Sequence, residues 1–179
     1  MDRPDVFPTM TRDLRNRSAE LDWPPEFEPE QADWFSHNEA FVNAPVSRVW
    51  DELTATPNWP TWYPLCDAFE IDEGARYLHS TAHFRWTTFG LTIEGDVVLF
   101  EPMRRISWNG YAAGTDPTFF HQWLLTPVEG GCHAVYDEAG NGTVALAMRN
   151  ADEADMHRGH ELLLAGLRWA SERPKALSD

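Results

Sequence analysis

The spacing of hydrophobic residues changes twice along the chain, from helical to alternating and back to helical. After Pro45, the residues Val46, Val49, Trp50 and Leu53 fall at positions i, i+3, i+4 and i+7, which places four apolar side chains on one helix face. Pro45 suits the first helical position, because proline has no backbone N–H and its φ is already near the helical value. We therefore predict a short amphipathic helix that begins at Pro45.

The segment that follows this helix, residues 57–64, combines three prolines with three aromatic residues. Proline restricts its own φ and the conformation of the residue before it, so the segment is expected to form a turn or one short second helix. Its aromatic side chains are then held in fixed positions. We interpret Trp62 and Tyr63 as residues that border the entrance to a cavity.

The middle of the chain is typical of extended structure. A first strand is predicted before the helix, and further strands follow the prolines; their ranges are 34–42, 67–72, 77–88, 91–101, 104–109, 118–126 and 132–139. Short turn signals such as Phe89-Gly90 and Gly130-Gly131 separate most of them. Because short connections join neighbouring strands as hairpins, the pattern predicts an antiparallel meander with one face to be covered.

A long helix near the carboxyl end is the predicted cover. Asn150 with Glu153 three residues later resembles a capping box, and Pro174 marks the end. The apolar stripe steps by four, three, four and three residues through Met156, His160, Leu163, Leu167 and Ala170. A helix of about 20 residues is roughly 30 Å long, which is enough to cross the whole sheet.

Residues 1–33 contain several prolines and no regular apolar period, so we predict an irregular arm. Leu21, Trp23 and Phe27 are expected to attach it to the domain surface or over the mouth of a pocket. The folded domain is predicted over residues 34–174, and residues 175–179 form a tail.

Composition narrows the classes of partner. The 179 residues carry 29 acidic and 14 basic side chains, a formal charge of −15, which argues against nucleic acid or an anionic membrane as a partner. No apolar run approaches the roughly 20 residues of a membrane span, and no signal peptide is recognisable, so a cytoplasmic protein with two reduced cysteines is expected. Nine tryptophans exceed what filling a core requires, which suggests that some line a cavity.

Several segments, taken in order, resemble the START-like or SRPBCC superfamily. They are APVSRVWDELT with WPTWYP, then FRWTTFGLTIEGDVVLFEPMRRISWNG, HQWLLTPVEGGCHAVYDEAGNG and LLLAGLRWASE. The resemblance as a whole runs from about residue 34 to residue 173. Within the superfamily the chain looks most like bacterial polyketide cyclase/dehydrase-like proteins, with homologues of heat-shock ATPase activators second.

The resemblance implies an α+β helix-grip fold. In this fold a curved antiparallel sheet of about six to seven strands wraps on a long C-terminal helix, with two short helices after the first strand. It also implies a deep cavity between the concave face and the last helix, holding a lipophilic molecule. It implies no particular reaction, because carriers, receptors, cyclases and dehydratases share the fold.

Acid–base chemistry in the cavity is the chemistry that the residues favour. His160 lies in the apolar stripe of the last helix, as a proton carrier or as a neutral imidazole bonded to a backbone carbonyl. His121 shares a strand face with Trp123, which the resemblance turns inward. Glu138, if buried, would have a raised pKa and act as a general acid; the alternative is a carboxylate at the rim bonded to a strand amide.

No metal or cofactor is predicted. The sequence has no nucleotide-binding glycine loop, no zinc-type Cys/His set and no G-x-S-x-G. The pairs His79 with His83 and His157 with His160 have no carboxylate at a convincing spacing.

Strand parity supplies the candidate ligand-binding residues. Phe84 and Trp86 share one face, which the resemblance places inside, while His83 and Arg85 face outward. The elbow, the other inward strand positions and the last helix contribute further residues. The predicted ligand-binding set is Trp62, Tyr63, Phe84, Trp86, Trp108, Trp123, Tyr136, Met156 and Leu163.

Three functions remain open at this level. The first is binding of a lipophilic or aromatic small molecule with acid–base cyclisation or dehydration of a polyketide-like intermediate. The second is a hydrophobic carrier or sensor without catalysis, and the third is an interaction module of the chaperone-activator kind whose cavity is filled by side chains. The chain is expected to act as a monomer or a homodimer.

Overall fold

The computed structural model describes residues 6–112, 115–116 and 118–174. Seven antiparallel strands form one curved sheet in the order β1-β7-β6-β5-β4-β3-β2. The strands are β1 (Trp34–Val42), β2 (Cys66–Ile71), β3 (His83–Thr88), β4 (Leu91–Glu101), β5 (Arg105–Tyr111), β6 (Phe119–Val128) and β7 (Gly131–Gly140). The helices are α1 (Pro8–Asn16), α2 (Val46–Thr54), α3 (Gly142–Ala151) and α4 (Asp155–Glu172), and Thr56–Thr61 forms a short 3₁₀ helix. The α+β helix-grip prediction is confirmed.

Helix α4 lies across the inner side of the sheet, where it packs on β1 and α2. Two glycines permit this close approach. A β-carbon at Gly166 would lie 2.4 Å from the carbonyl oxygen of Trp62, and one at Gly159 would lie 2.0 Å from the ring of Phe89. The cost of glycine within a helix is therefore offset by direct contact with the elbow and with the β3–β4 turn.

Interlocking aromatic rings fill the space between the sheet and the elbow. The Trp59 ring lies at the centre, 5.4 Å from Trp62, Phe69 and Trp86 and 6.4 Å from Trp108, measured between ring centroids. Its indole N–H donates to the carbonyl oxygen of Leu53 over 3.1 Å. The elbow predicted from the prolines thus becomes part of the core.

The predicted start of the last helix is wrong. The chain forms the separate helix α3 first, and α4 begins at Asp155. Glu153 does not close a capping box with Asn150, because its two carboxylate oxygens accept hydrogen bonds from the backbone N–H groups of Thr9 and Met10, each over 3.1 Å. It therefore caps the first turn of α1, where unpaired amides and the helix dipole favour an anion.

The amino-terminal arm was predicted to be irregular, but it contains the helix α1. Leu21 and Phe27 are buried and Trp23 is partly buried, so these residues pack against the outer face of the sheet. Residues 1–5 of the arm and the predicted tail 175–179 lie outside the described residues.

Several predicted boundaries also differ from those in the structure. Pro45 has an extended ψ of 148° and is the cap of α2 rather than its first residue. The strand predicted over 77–88 begins only at His83. Among the described helices, none has both the length and the apolar character needed to span a membrane.

Candidate functional site

Four titratable side chains from β6, β7 and α4 meet between the sheet and α4. His121 of β6 and Glu138 of β7 are paired directly across the two strands, and Tyr136 lies two residues before Glu138 on the same face. The His160 side chain extends from α4 and contacts Glu138. The structure therefore brings together all three predicted catalytic residues, His121, Glu138 and His160, and adds Tyr136 from the predicted ligand-binding set.

One carboxylate oxygen, Glu138 Oε2, is the centre of the cluster. It lies 2.8 Å from His121 Nδ1 and 3.1 Å from His160 Nε2, and it accepts a hydrogen bond from the Tyr136 hydroxyl over 2.9 Å. Glu138 is only 6% exposed and His121 only 2%. Buried charge is tolerated where it is paired and hydrogen-bonded in this way.

The expected raised pKa of Glu138 is wrong. Burial raises the pKa of this carboxyl. The imidazoles of His121 and His160 lower it by a larger amount, so the pKa lies well below its ordinary value of 4.5. Nor does Glu138 bond to a strand amide at a rim, because its partners are buried side chains. An ionised Glu138 orients the two imidazoles and does not donate a proton.

Tyr136 keeps its proton. Burial and then the negative charge of Glu138 raise the pKa of this hydroxyl well above 10.0. The hydroxyl therefore acts as a hydrogen-bond donor to Glu138. Its oxygen also lies 2.7 Å from His121 Nδ1.

The two imidazoles differ in how many of their ring nitrogens have a hydrogen-bond or ion-pair partner. His160 uses both nitrogens, since Nε2 faces Glu138 and Nδ1 lies 2.7 Å from the hydroxyl oxygen of Ser36. His121 uses Nδ1 alone, and its Nε2 is buried without a hydrogen-bond partner among the described residues. A β-carbon at Gly110 would lie 2.8 Å from this nitrogen, so glycine makes room for it. Within the cluster, His121 Nε2 is thus a ring nitrogen that keeps an unused hydrogen-bonding position.

The cavity beside this cluster is small. Its volume is about 30 Å³, which suits about one water molecule and is far below the roughly 300–1,000 Å³ of small-molecule pockets. Among the described residues, indole and phenyl rings fill the interior where the resemblance implies a deep cavity. The cavity is lined by Trp34, Trp86, Thr88, Phe89, Leu91, Ile93, Phe119, His121, Glu138, Met148, Met156 and His160.

The predicted ligand-binding residues are divided by this geometry. Trp86 and Met156 line the cavity. The others do not line it and are buried in the core: Trp62, Tyr63, Phe84, Trp108, Trp123, Tyr136 and Leu163. Three other lining residues were missed from the sequence. Phe89 lies in the recognised Phe89-Gly90 turn, Leu91 follows that turn, and Met148 lies on the unpredicted helix α3.

Phe89 covers the cavity in a strained turn. It has a φ of 50°, followed by Gly90 at 71°, the arrangement of a two-residue hairpin loop. A bulky residue in this left-handed region costs on the order of 1–3 kcal/mol. The Phe89 ring lies against Gly159 and meets the His160 ring edge-on, 6.2 Å between centroids. This contact with α4 offsets the strain, and the same ring lines the cavity.

The remaining histidine pairs take other partners. His83 Nδ1 lies 2.9 Å from Asp96 and His157 Nδ1 lies 2.8 Å from Asp13. Within residues 6–112, 115–116 and 118–174, no group of three or more His, Cys, Asp or Glu side chains is arranged to hold a metal ion.

Comparisons with solved structures show the same fold. A hypothetical protein of Helicobacter pylori has a TM-score of 0.78 and 23% identity, with 85% of this chain and 96% of that chain covered. The di-domain ARO/CYC BexL from the BE-7585A biosynthetic pathway has a TM-score of 0.61 and 18% identity, with 81% and 53% covered. A Thermus thermophilus protein has a TM-score of 0.60 and 18% identity, with 76% and 96% covered.

No protein of curated function matches the sequence. A family model does, over residues 36–168, and that family is described as polyketide cyclase / dehydrase and lipid transport. The matched range includes the sheet, the His121, Glu138 and His160 cluster and most of α4. The chain therefore belongs to the polyketide cyclase/dehydrase and lipid transport family.

Proposed function

We propose that this protein binds a lipophilic or aromatic small molecule between the sheet and α4, and that His121 exchanges protons with it. The observation that carries the proposal is the unpartnered Nε2 of His121, in a side chain that lines an apolar cavity and whose other nitrogen faces an ionised carboxylate. A carboxylate in this position fixes the orientation of an imidazole and stabilises the imidazolium that forms when it accepts a proton.

The chemistry that fits is cyclisation or dehydration of a polyketide-like chain. His121 Nε2 removes a proton from a carbon beside a carbonyl group, which leaves an enolate. The enolate carbon attacks a second carbonyl carbon, and the imidazolium returns its proton to the alkoxide that results. For dehydration, the same imidazole removes a second carbon-bound proton and delivers a proton to the departing hydroxyl, which leaves as water.

A ligand larger than one water requires the cavity to widen. Phe89 is the side chain best placed to move, because it sits at a hairpin tip and its turn is strained. Met148 and Met156 also line the cavity, and their unbranched side chains adapt easily to new contacts.

Phe89→Ala is therefore expected to increase the affinity for a hydrophobic probe. Removing the ring vacates the space beside Gly159 and leaves the His121 cluster intact. Titration with 1-anilinonaphthalene-8-sulfonate, followed by fluorescence, should show a dissociation constant at least about fivefold lower, the equivalent of roughly 1 kcal/mol. Val98→Ala, at an exposed site in β4, is the control. Equal affinity in wild type and Phe89→Ala would show that Phe89 does not restrict access.

His121→Phe is expected to lower turnover of a poly-β-ketone thioester at least about 100-fold while ligand binding persists. The phenyl ring keeps the stacking with Trp108 but carries no nitrogen. Product formation is measured by mass spectrometry, with His79→Phe at an exposed position as the control. Full turnover in His121→Phe would remove the catalytic part of the proposal.

The small cavity supports the interaction-module alternative as a second candidate, since that function expects a filled interior. Native mass spectrometry of freshly purified protein separates the two. A co-purifying small molecule supports ligand binding, and its recovery unchanged after incubation with the protein supports a carrier. Absence of any small-molecule complex, also after incubation with the thioester, would favour the interaction module.

A further inference from the structure

A second and larger concave site lies on the other side of α4, away from the His121 cluster. It is a groove of about 580 Å³ between α1, the sheet-edge strand β1 and α4. Its volume falls within the roughly 300–1,000 Å³ range of small-molecule sites. Neither the proposed function nor the family assignment uses it.

The groove carries acidic side chains whose charge is not balanced by arginine. Arg168 Nε donates to Glu172 over 3.0 Å, and Arg12 lies 3.4 Å from Asp13, so both arginines that line the groove are already paired. Glu161, at 64% exposure of its side chain, has His157 as its ion-pair contact, 3.4 Å away.

His157 has two closer partners than Glu161. Its Nδ1 lies 2.8 Å from Asp13 and its Nε2 lies 2.9 Å from the Arg12 guanidinium, whereas Glu161 is 3.4 Å away. Glu161 therefore has no arginine partner among the described residues and presents its carboxylate to the groove.

A buried acceptor without a donor lies in the same groove. The Asn38 side chain is only 4% exposed, and its amide nitrogen donates to the carbonyl oxygen of His157 over 3.0 Å. This bond fixes the amide orientation and leaves Oδ1 buried without a hydrogen-bond partner among the described residues. Because an unpaired buried acceptor is costly, Asn38 favours a ligand that brings N–H donors.

An exposed aromatic ring stands at the other end of the groove. Trp169 is 55% exposed, and the guanidinium carbon of Arg173 lies 4.7 Å from its ring centroid. The chain's own cation thus shows that this ring takes a positive charge on its face. Glu161 and Trp169 are eight residues apart on α4, which places them about 12 Å apart along the helix axis.

We propose that this groove binds an elongated organic cation with ammonium or guanidinium groups at both ends. One end pairs with Glu161 near Asn38 Oδ1, and the other replaces the Arg173 guanidinium on the face of Trp169. A free polyamine and a basic peptide segment both present this chemistry. The spacing of the two ends excludes a short monoamine as an equal ligand.

The test uses isothermal titration calorimetry at low salt with three probes: spermidine, n-propylamine, and an acetylated tetrapeptide with lysine at both ends. Spermidine or the peptide is expected to bind at least about tenfold more tightly than n-propylamine, since only they reach both ends. Binding by spermidine identifies a free polyamine as the source, and binding by the peptide alone identifies a protein segment. No measurable binding by either would overturn the proposal.

Two variants at exposed positions test whether the cation binds in this groove. Glu161→Gln and Trp169→Ala are each expected to weaken binding about fivefold, the size of one exposed cation–π or charge contact. Glu129→Gln removes the same charge in the exposed β6–β7 turn and is the matched control, with an expected change below about twofold. Equal weakening by Glu129→Gln would show non-specific attraction to an acidic protein and would overturn the proposal.

Discussion

Replacing Trp59 by alanine is expected to lower the free energy of unfolding by about 3–5 kcal/mol. Trp59 is completely buried, and its ring contacts those of Trp62, Phe69 and Trp86 at centroid distances of 5.4 Å. Truncation removes this apolar contact, leaves a cavity among rigid rings that cannot collapse, and leaves the Leu53 carbonyl without its donor. Urea denaturation followed by circular dichroism measures the loss.

Trp169→Ala is the control for this measurement, because that side chain is largely exposed and should change stability by no more than about 0.5 kcal/mol. A loss below about 1 kcal/mol in Trp59→Ala would contradict a tightly packed centre. It would instead indicate that the interior repacks easily.

Trp59 also illustrates what the sequence could predict. The prolines around it identified a rigid elbow, because their effect on the backbone is local. Strand parity likewise placed Phe84 and Trp86 on one face, and the family resemblance turned that face inward, where both side chains are buried. Neither rule predicts how indole rings interlock across four elements, so the nearly filled cavity was not foreseen.

The candidate catalytic residues on the strands could also be identified from the sequence. The family resemblance turned the strand faces of His121 and Glu138 inward, and the Gly130-Gly131 turn predicted the hairpin that joins their strands. The lowered pKa of Glu138 depends on His160 as well, which arrives from α4 through tertiary packing. No spacing in the sequence encodes that approach.

The errors at the ends of the domain have a long-range cause. Glu153 was assigned to its own helix, whereas it caps α1, whose residues Thr9 and Met10 lie more than 140 positions earlier. Helix α3 buries only Ala145, so it lacks the apolar stripe by which a helix is recognised.

A paired comparison of Glu138→Gln and Glu129→Gln tests the ionised state of the buried carboxylate. Glu129→Gln makes the same chemical change in an exposed turn, and it is expected to alter stability by no more than about 0.5 kcal/mol at any pH. Urea unfolding of both variants and the wild type at a series of pH values supplies the data.

Glu138→Gln is expected to cost about 3–5 kcal/mol at neutral pH, because it removes the buried negative charge that His121 and His160 share and places an amide in its position. The folded-state pKa of Glu138 is lowered below its ordinary value of 4.5. The stability supplied by the ionised carboxylate is therefore fully present above that value and is lost as the pH falls through the folded-state pKa. The difference between wild type and Glu138→Gln should accordingly shrink as the pH falls below about 4.3. A difference that grows under acid would mean that Glu138 is held protonated, and the carboxyl would then be a proton donor after all.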